Sequence, residues 1–320
     1  MDGYLTDPFV QKLPANLKAS WIPGNSAFSD FFKSVSRGFL QVAVADEHYF
    51  QFIYDLKKNE PELAKSLISL ESSGKLRAVH INSSIPDELN ISGIRKSVKK
   101  QISGGLNIPT DTIFHDTFEH HDLRERISDS TKKPLFLEID ITDGTIEYLF
   151  RERSFNLNVG DTFNWARFIS EYTLPFKRVR ILDPYLFKNV TNVDLNGLLS
   201  TLVKKSEKIS IDIISNGDEK QIGKVKAELN SINNFKADVR LYNQLSDVSD
   251  IFHKRLIWTD YWVLFAERGF DFLKLRKGLG EVKKETNLFL TGKYASKDSI
   301  WHQIDNNWQD YLAKAELIQV

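Results

Sequence analysis

His253 and Arg255 stand two residues apart, and Asp260 follows the histidine by seven, within Ile251-Phe-His253-Lys254-Arg255-Leu-Ile-Trp-Thr-Asp260. An imidazole can attack phosphorus. A guanidinium can hold two phosphate oxygens at once, and a carboxylate can hold the imidazole in the tautomer whose other nitrogen is free. Alternate side chains of a strand share a face, so His253 and Arg255 are expected to point one way and Lys254 the other. The trio is read as nucleophile, phosphate clamp and orienter, with Asp260 in or beside the turn of a hairpin. The competing reading is a structural strand with one solvated, basic face.

These residues must be positioned by the elements before them. Ile127-Ser-Asp-Ser-Thr-Lys-Lys-Pro134 reads as a linker. It divides an N-terminal α/β domain of unknown role, residues 1–133, from a second domain, residues 134–320. The first domain is expected to be the less regular. It shows an apolar strand run at 39–45, a helix opened by Asn59 and Pro61 and closed at Gly74, and an alternating strand at 76–82. After the linker the rhythm is steadier. Strands are predicted at Leu135–Ile141, Arg178–Asp183, Ile209–Ile214 and Ala237–Tyr242. Between them run helices marked by Trp165 to Tyr172, by Leu195 to Leu202, and by Ile222 to Ile232. Asp161 and Thr162 are candidate caps for the first of these helices. Asp218 and Gln221 read as a capping box for the third. That order implies parallel strands with helices on the faces of the sheet. Two apolar runs, 251–258 and 261–266, then form the hairpin. An amphipathic helix carrying Ile300, Trp301, Ile304, Trp308, Tyr311 and Leu312 closes the chain. Ligands of open α/β sheets sit beyond the carboxyl ends of the strands. Asp183, before Pro184 and Tyr185, stands at such an end, as a turn residue or as a supporting carboxylate.

His253, Arg255 and Asp260 resemble the His-x-Lys-x4-Asp motif of the phospholipase D superfamily, with Arg255 in place of the lysine. The likeness covers roughly residues 134–320. A closer resemblance is to the phospholipase D-like domain at the C-terminus of MIT-domain proteins and its bacterial relatives. Its pattern is His-x-Arg, an aromatic-rich strand, then Arg-Gly-hydrophobic-Asp-aromatic, met here by His253-Lys-Arg255 and Arg268-Gly269-Phe270-Asp271-Phe272. The resemblance implies a mixed sheet with helices on both faces. It implies either of two functions. One is a metal-independent phosphodiesterase or nuclease, with His253, Arg255 and Asp260 as catalytic residues, in a bacterial antiphage setting. The other is an inactive module that binds phosphate, on a lipid headgroup or nucleic acid, or scaffolds an assembly. Only one motif is present, so a paired-histidine site would need a homodimer. Arginine is not a neutral replacement for lysine. Glu267-Arg268-Gly269-Phe270 also lacks the Ser and Asn that the superfamily places there. Both departures favour binding, whereas the intact His253 and Asp260 favour chemistry, and the phosphodiesterase or nuclease is the leading expectation. Arg255, Arg268, Lys274 and Arg276 are the expected phosphate contacts, and Asp183, Gly269 and Asp271 the supporting residues.

Composition limits the alternatives. Lys plus Arg and Asp plus Glu both number 43 in 320 residues, so no global basic field exists and any nucleic-acid contact must be local. Cysteine is absent, which excludes thiolate metal sites and disulfides and fits a cytoplasmic setting. No apolar run is long enough to span a bilayer, and Met1 to Pro8 lacks the features of a signal peptide. No metal and no cofactor are expected. His115 and Glu119, in a polar cluster with His121, have helical spacing for a shared metal, but a polar surface explains them better. Arg95 to Lys100 and Lys204-Lys205 read as solvated basic faces. Residues 1–133 could recruit a partner protein.

Overall fold

The structure is a computed structural model that describes residues 3–19, 27–79, 112–115, 135–144, 146–172, 177–203, 209–232, 237–244, 255–276, 279–296 and 300–318. It divides into two compact units, Met1–Glu147 and Tyr148–Val320.

In the first unit the elements run β1 (Gly3–Leu5), α1 (Asp7–Ala19), α2 (Ala27–Ser36), β2 (Val42–Ala45), α3 (Asp46–Asn59), α4 (Pro61–Ser72), β3 (Leu76–Val79), β4 (Thr112–His115), β5 (Leu135–Leu137) and α5 (Glu138–Thr142). The five strands form one sheet in the order β3-β2-β1-β4-β5, every pair parallel. Strands buried on both faces read as unbroken apolar runs, and Val42-Ala-Val-Ala45 is one. Phe9, Phe31, Phe114 and Phe136 pack ring against ring at centroid distances between 5.1 and 5.9 Å. Gly3 gives them room, because a Cβ there would come within 2.8 Å of the Phe114 ring.

The two units divide at 147/148, later in the chain than the 133/134 boundary read from the sequence. Leu135–Leu137 pairs with β4 and completes the first sheet instead of opening the second. Nor does the strand run to Ile141. Asp140 accepts the Leu137 N–H through Oδ2 at 2.7 Å and starts α5 at Glu138. A short polar side chain that binds local backbone N–H diverts the chain from a strand into a helix.

In the second unit follow β6 (Glu152–Leu157), β7 (Thr162–Phe163), α6 (Trp165–Ser170), β8 (Arg178–Leu182), α7 (Val190–Val193), α8 (Leu195–Val203), β9 (Ile209–Ser215), α9 (Glu219–Asn230), β10 (Ala237–Gln244), β11 (Leu256–Thr259), β12 (Trp262–Ala266), β13 (Leu273–Arg276), β14 (Leu279–Val282), β15 (Thr286–Gly292), α10 (Ile300–Ala313) and β16 (Ala315–Ile318). Eight strands form a mixed sheet in the order β16-β10-β9-β8-β11-β12-β15-β6. Only β8, β9 and β10 are mutually parallel, and the other neighbours are antiparallel. A small sheet β13-β14-β7 stands apart. The Asp218–Gln221 box is present, with Gln221 N–H to Asp218 at 2.8 Å and Asp218 N–H to Gln221 at 3.0 Å. The cap of α6 is Asn164, not Asp161 or Thr162; Asn164 accepts the Arg167 N–H, while Asp161 serves the turn at Asn158.

Helices lie on both faces of this sheet. One face meets α10, where Trp301, Ile304, Trp308 and Tyr311 pack on Leu182, Ile214, Trp258 and Val263. Trp262 points to the other face and donates to the carbonyl of Tyr172, just past α6. Across the three parallel strands Arg180, Asp212 and Arg240 stand side by side under α10. Asp212 lies 2.8 Å from Arg240 Nε, and Arg180 donates to Asp305 of α10 at 2.9 Å. The Arg180 guanidinium lies over the rings of Trp258 and Trp308, 4.3 and 5.1 Å from their centroids. The charge is thereby desolvated, paired and covered by aromatic faces at once. Arg180→Ala is expected to lower the unfolding free energy by about 1.5–3 kcal/mol, because it removes the partner of Asp305 and leaves Asp212 to Arg240 alone. Urea denaturation checks it, and an unchanged midpoint would show that α10 does not depend on this pair.

Candidate functional site

The ends of β8 and β11 meet the loop that follows β12. Asp183 comes directly after β8 and is fully buried. Its N–H still donates to Ile214 of β9, so the sheet carries the residue to its edge. One carboxylate oxygen accepts the Tyr185 N–H at 2.9 Å, an Asx turn that lets the chain leave the strand through Pro184. The other accepts the Phe270 N–H at 3.1 Å. Burial pushes the Asp183 carboxyl up from its ordinary range, against the pull of these two N–H bonds and of Arg255. A residue 87 positions away is thus pinned to the end of β8.

Arg255 enters from the start of β11. Leu256 pairs with Leu182, so Arg255 comes level with Asp183. Its Nη1 donates to the Glu267 carbonyl at 2.9 Å, and its guanidinium carbon lies 5.3 Å from the centroid of the Tyr185 ring. Its Nε is buried and has no hydrogen-bond partner among the described residues. Gly269 closes over the side chain with φ of +95°, a backbone region that L side chains rarely adopt. A Cβ there would stand 3.1 Å from Arg255 Cδ. Phe270 beside it is fully buried near Trp165, which anchors the loop from below.

Asp271 is the third member. It accepts from the Asn189 amide at 3.1 Å and from Lys284 at 2.9 Å. Around it gather cations on or beside the β13–β14 hairpin. Burial, with Lys284 and Lys274 nearby, pulls the Lys283 ammonium below its ordinary value, against the attraction of Asp271. Lys274 and Arg268 are exposed.

The expected site is therefore only partly assembled as the spacing suggested. Arg255, Asp183, Gly269 and Asp271 converge, with Lys274 near the Asp271 edge. His253 lies outside the described residues, as do Lys204-Lys205, Arg95 to Lys100, Glu119 and His121. Arg276 is the last residue of β13. Asp260 stands apart from Arg255. It follows β11 at the opposite end from Arg255, level with the start of β8. The four residues of β11 alone separate the two by roughly 13 Å. The Asp260 carboxylate accepts the N–H groups of Lys177 and Arg178 at 2.8 and 2.9 Å and pairs with Arg178 Nε at 2.9 Å. It closes a hairpin and does not face Arg255; extended chain carries it away where the spacing read it as a partner.

Four contributors lay beyond the sequence reading: Tyr185, Asn189, the Glu267 carbonyl and Lys284. Only Tyr185 had a signal, the Asp-Pro-Tyr that ends β8. The others act through backbone oxygen or through distant loops, which no local pattern marks.

Residues 163–285 match the family model described as the phospholipase D-like domain at the C-terminus of MIT. The C-terminal region is a phospholipase D-like domain. The match covers the converging residues Asp183, Arg255, Gly269 and Asp271 and both hairpins that carry them. No curated protein matches the chain. Among solved structures, TrmBL2, an archaeal chromatin protein, is 11% identical over 52% of this chain and 54% of its own, with a TM-score of 0.29. This chain thus spans about half of that protein's length. Among the described residues no helix is long and apolar enough to cross a membrane.

Two substitutions separate support from site. Asp183→Asn keeps the shape but offers one acceptor oxygen to two N–H groups, so stability is expected to fall by about 1–3 kcal/mol in urea denaturation. Asp260→Ala is expected to destabilise the hairpin by about 1 kcal/mol or more, yet leave anion binding at Arg255 unchanged. A loss of binding at unchanged stability would return Asp260 to the site.

Proposed function

We propose that the phospholipase D-like domain holds the phosphate of a phosphodiester at Arg255. The observation that carries this reading is the Arg255 Nε, a buried donor with no partner among the described residues, at the carboxyl end of β8, where open α/β sheets take their ligands. One arm of the fork is fixed by the Glu267 carbonyl, so the side chain is oriented before any ligand arrives. Arg268 and Lys274 are exposed nearby and supply further charge, with Arg276 following on the same strand. This arrangement needs no global basic excess, in keeping with a net formal charge of zero.

A second reading adds turnover and is favoured by one feature, the histidine two residues before the clamp. His253 would attack phosphorus, expel the alcohol and leave a phosphohistidine for water to open. With one motif per chain this needs a homodimer. The orienting carboxylate would then come from somewhere other than Asp260. A nuclease in an antiphage setting belongs to this reading.

Binding of a labelled oligonucleotide, measured by anisotropy, tests the first reading. Arg255→Ala is expected to weaken it about tenfold or more, the size of a lost charge-assisted hydrogen bond. Unchanged affinity would remove Arg255 as the clamp. His253→Ala is expected to abolish any EDTA-resistant cleavage while leaving affinity intact; wild-type dimer without cleavage leaves binding as the whole function.

A further inference from the structure

Tyr185 borders Arg255 with one side of its ring and is otherwise open to solvent. The residue is 44% exposed, while its backbone is held firmly. Its N–H donates to Asp183 at 2.9 Å, its carbonyl accepts from Asn189 at 3.0 Å, and the preceding Pro184 carbonyl accepts from Asn216 at 3.3 Å. Proline at 184 further restricts the chain. An exposed aromatic ring on so fixed a backbone loses little freedom when something covers it. The Arg255 guanidinium lies 5.3 Å from the ring centroid, so the ring and the phosphate clamp are neighbours.

We propose that Tyr185 stacks a nucleobase beside the phosphate held by Arg255, which makes the ligand a single-stranded nucleic acid. This inference rests on the phosphate reading above and deepens it. Every base presents a flat π face, and single-strand binders join cations that track the backbone to aromatic rings that stack the bases. In a duplex those faces are already covered by neighbouring bases, so a ring at the site has nothing to stack on. A lipid headgroup satisfies Arg255 but gives the ring no flat partner. The balanced overall charge fits a ligand recognised partly by stacking, because phosphate contacts alone would demand more cations.

Anisotropy on the full chain tests this with four probes: a short labelled single strand, the same strand made abasic, its duplex, and anionic phospholipid vesicles. Tyr185→Ala is expected to weaken the base-bearing strand between about 5- and 100-fold and the abasic strand far less, since the abasic strand loses only the ring's packing on Arg255. Tyr185→Trp is expected to restore affinity. Equal effects of Tyr185→Ala on the two strands, or none on either, would overturn the stacking proposal while a loss in Arg255→Ala keeps the phosphate reading. Wild-type preference for the duplex or for vesicles would also overturn it. If Arg255→Ala weakens none of the probes, the phosphate reading itself fails. Since Tyr185 is exposed, its variants are expected to unfold at the wild-type urea concentration.

Discussion

A buried carboxylate holds the candidate site together. Asp183 is sealed from water at the end of β8 and spends its two oxygens on backbone N–H groups from two segments far apart in sequence. Such a group is costly to bury unless its acceptors are filled. That cost makes the geometry specific, because the Tyr185 turn and the Phe270 loop must both be in place. Arg255 then has a defined space, bounded by the Tyr185 ring, the Glu267 carbonyl and Gly269. The Asp183 bridge adds to the direct tie between Arg255 and the Glu267 carbonyl by fixing the far side of the same loop to the end of β8.

The division of labour among the carboxylates follows from strand direction. β11 runs antiparallel to β8, so its first residue meets the sheet edge where β8 ends and its last meets the edge where β8 begins. Arg255 and Asp260 are close in sequence and opposed in space. Asp183 and Asp271 are distant in sequence and close to Arg255 in space. The ladder of Arg180, Asp212 and Arg240 plays a different part. It sits on the face beneath α10 and ties that helix to the parallel strands through Asp305.

Much of this was legible in the sequence wherever local physics decides the outcome. The Asp218–Gln221 box, the leucines of α8, the tryptophan-bearing α10 and the short gap between β11 and β12 all read correctly, because caps, periodicity and turns are local. The pairing of Leu135–Leu137 with β4 did not, because the choice of sheet is made by contacts across the chain. That Asp260 stands at the far end of β11 from Arg255 was hidden for the same reason, since spacing in a motif carries no direction. Arg268-Gly269-Phe270-Asp271 was legible only through its likeness to the family pattern; the structure adds the physical reason, a left-handed φ at the glycine and a buried phenylalanine. Asp183 was read as a turn residue or a supporting carboxylate, and its bond to the Phe270 N–H had no local signal.

The central claim is that Arg255 Nε is held ready for an oxygen of a phosphate group. The most direct measurement is guanidinium NMR of the wild-type chain, with the Arg255 Nε resonance assigned by comparison with Arg255→Lys, during titration with a short single-stranded oligonucleotide. The account predicts that this resonance moves downfield and gains protection from exchange as the strand binds. Saturable binding that leaves the Arg255 Nε–H unshifted would contradict it.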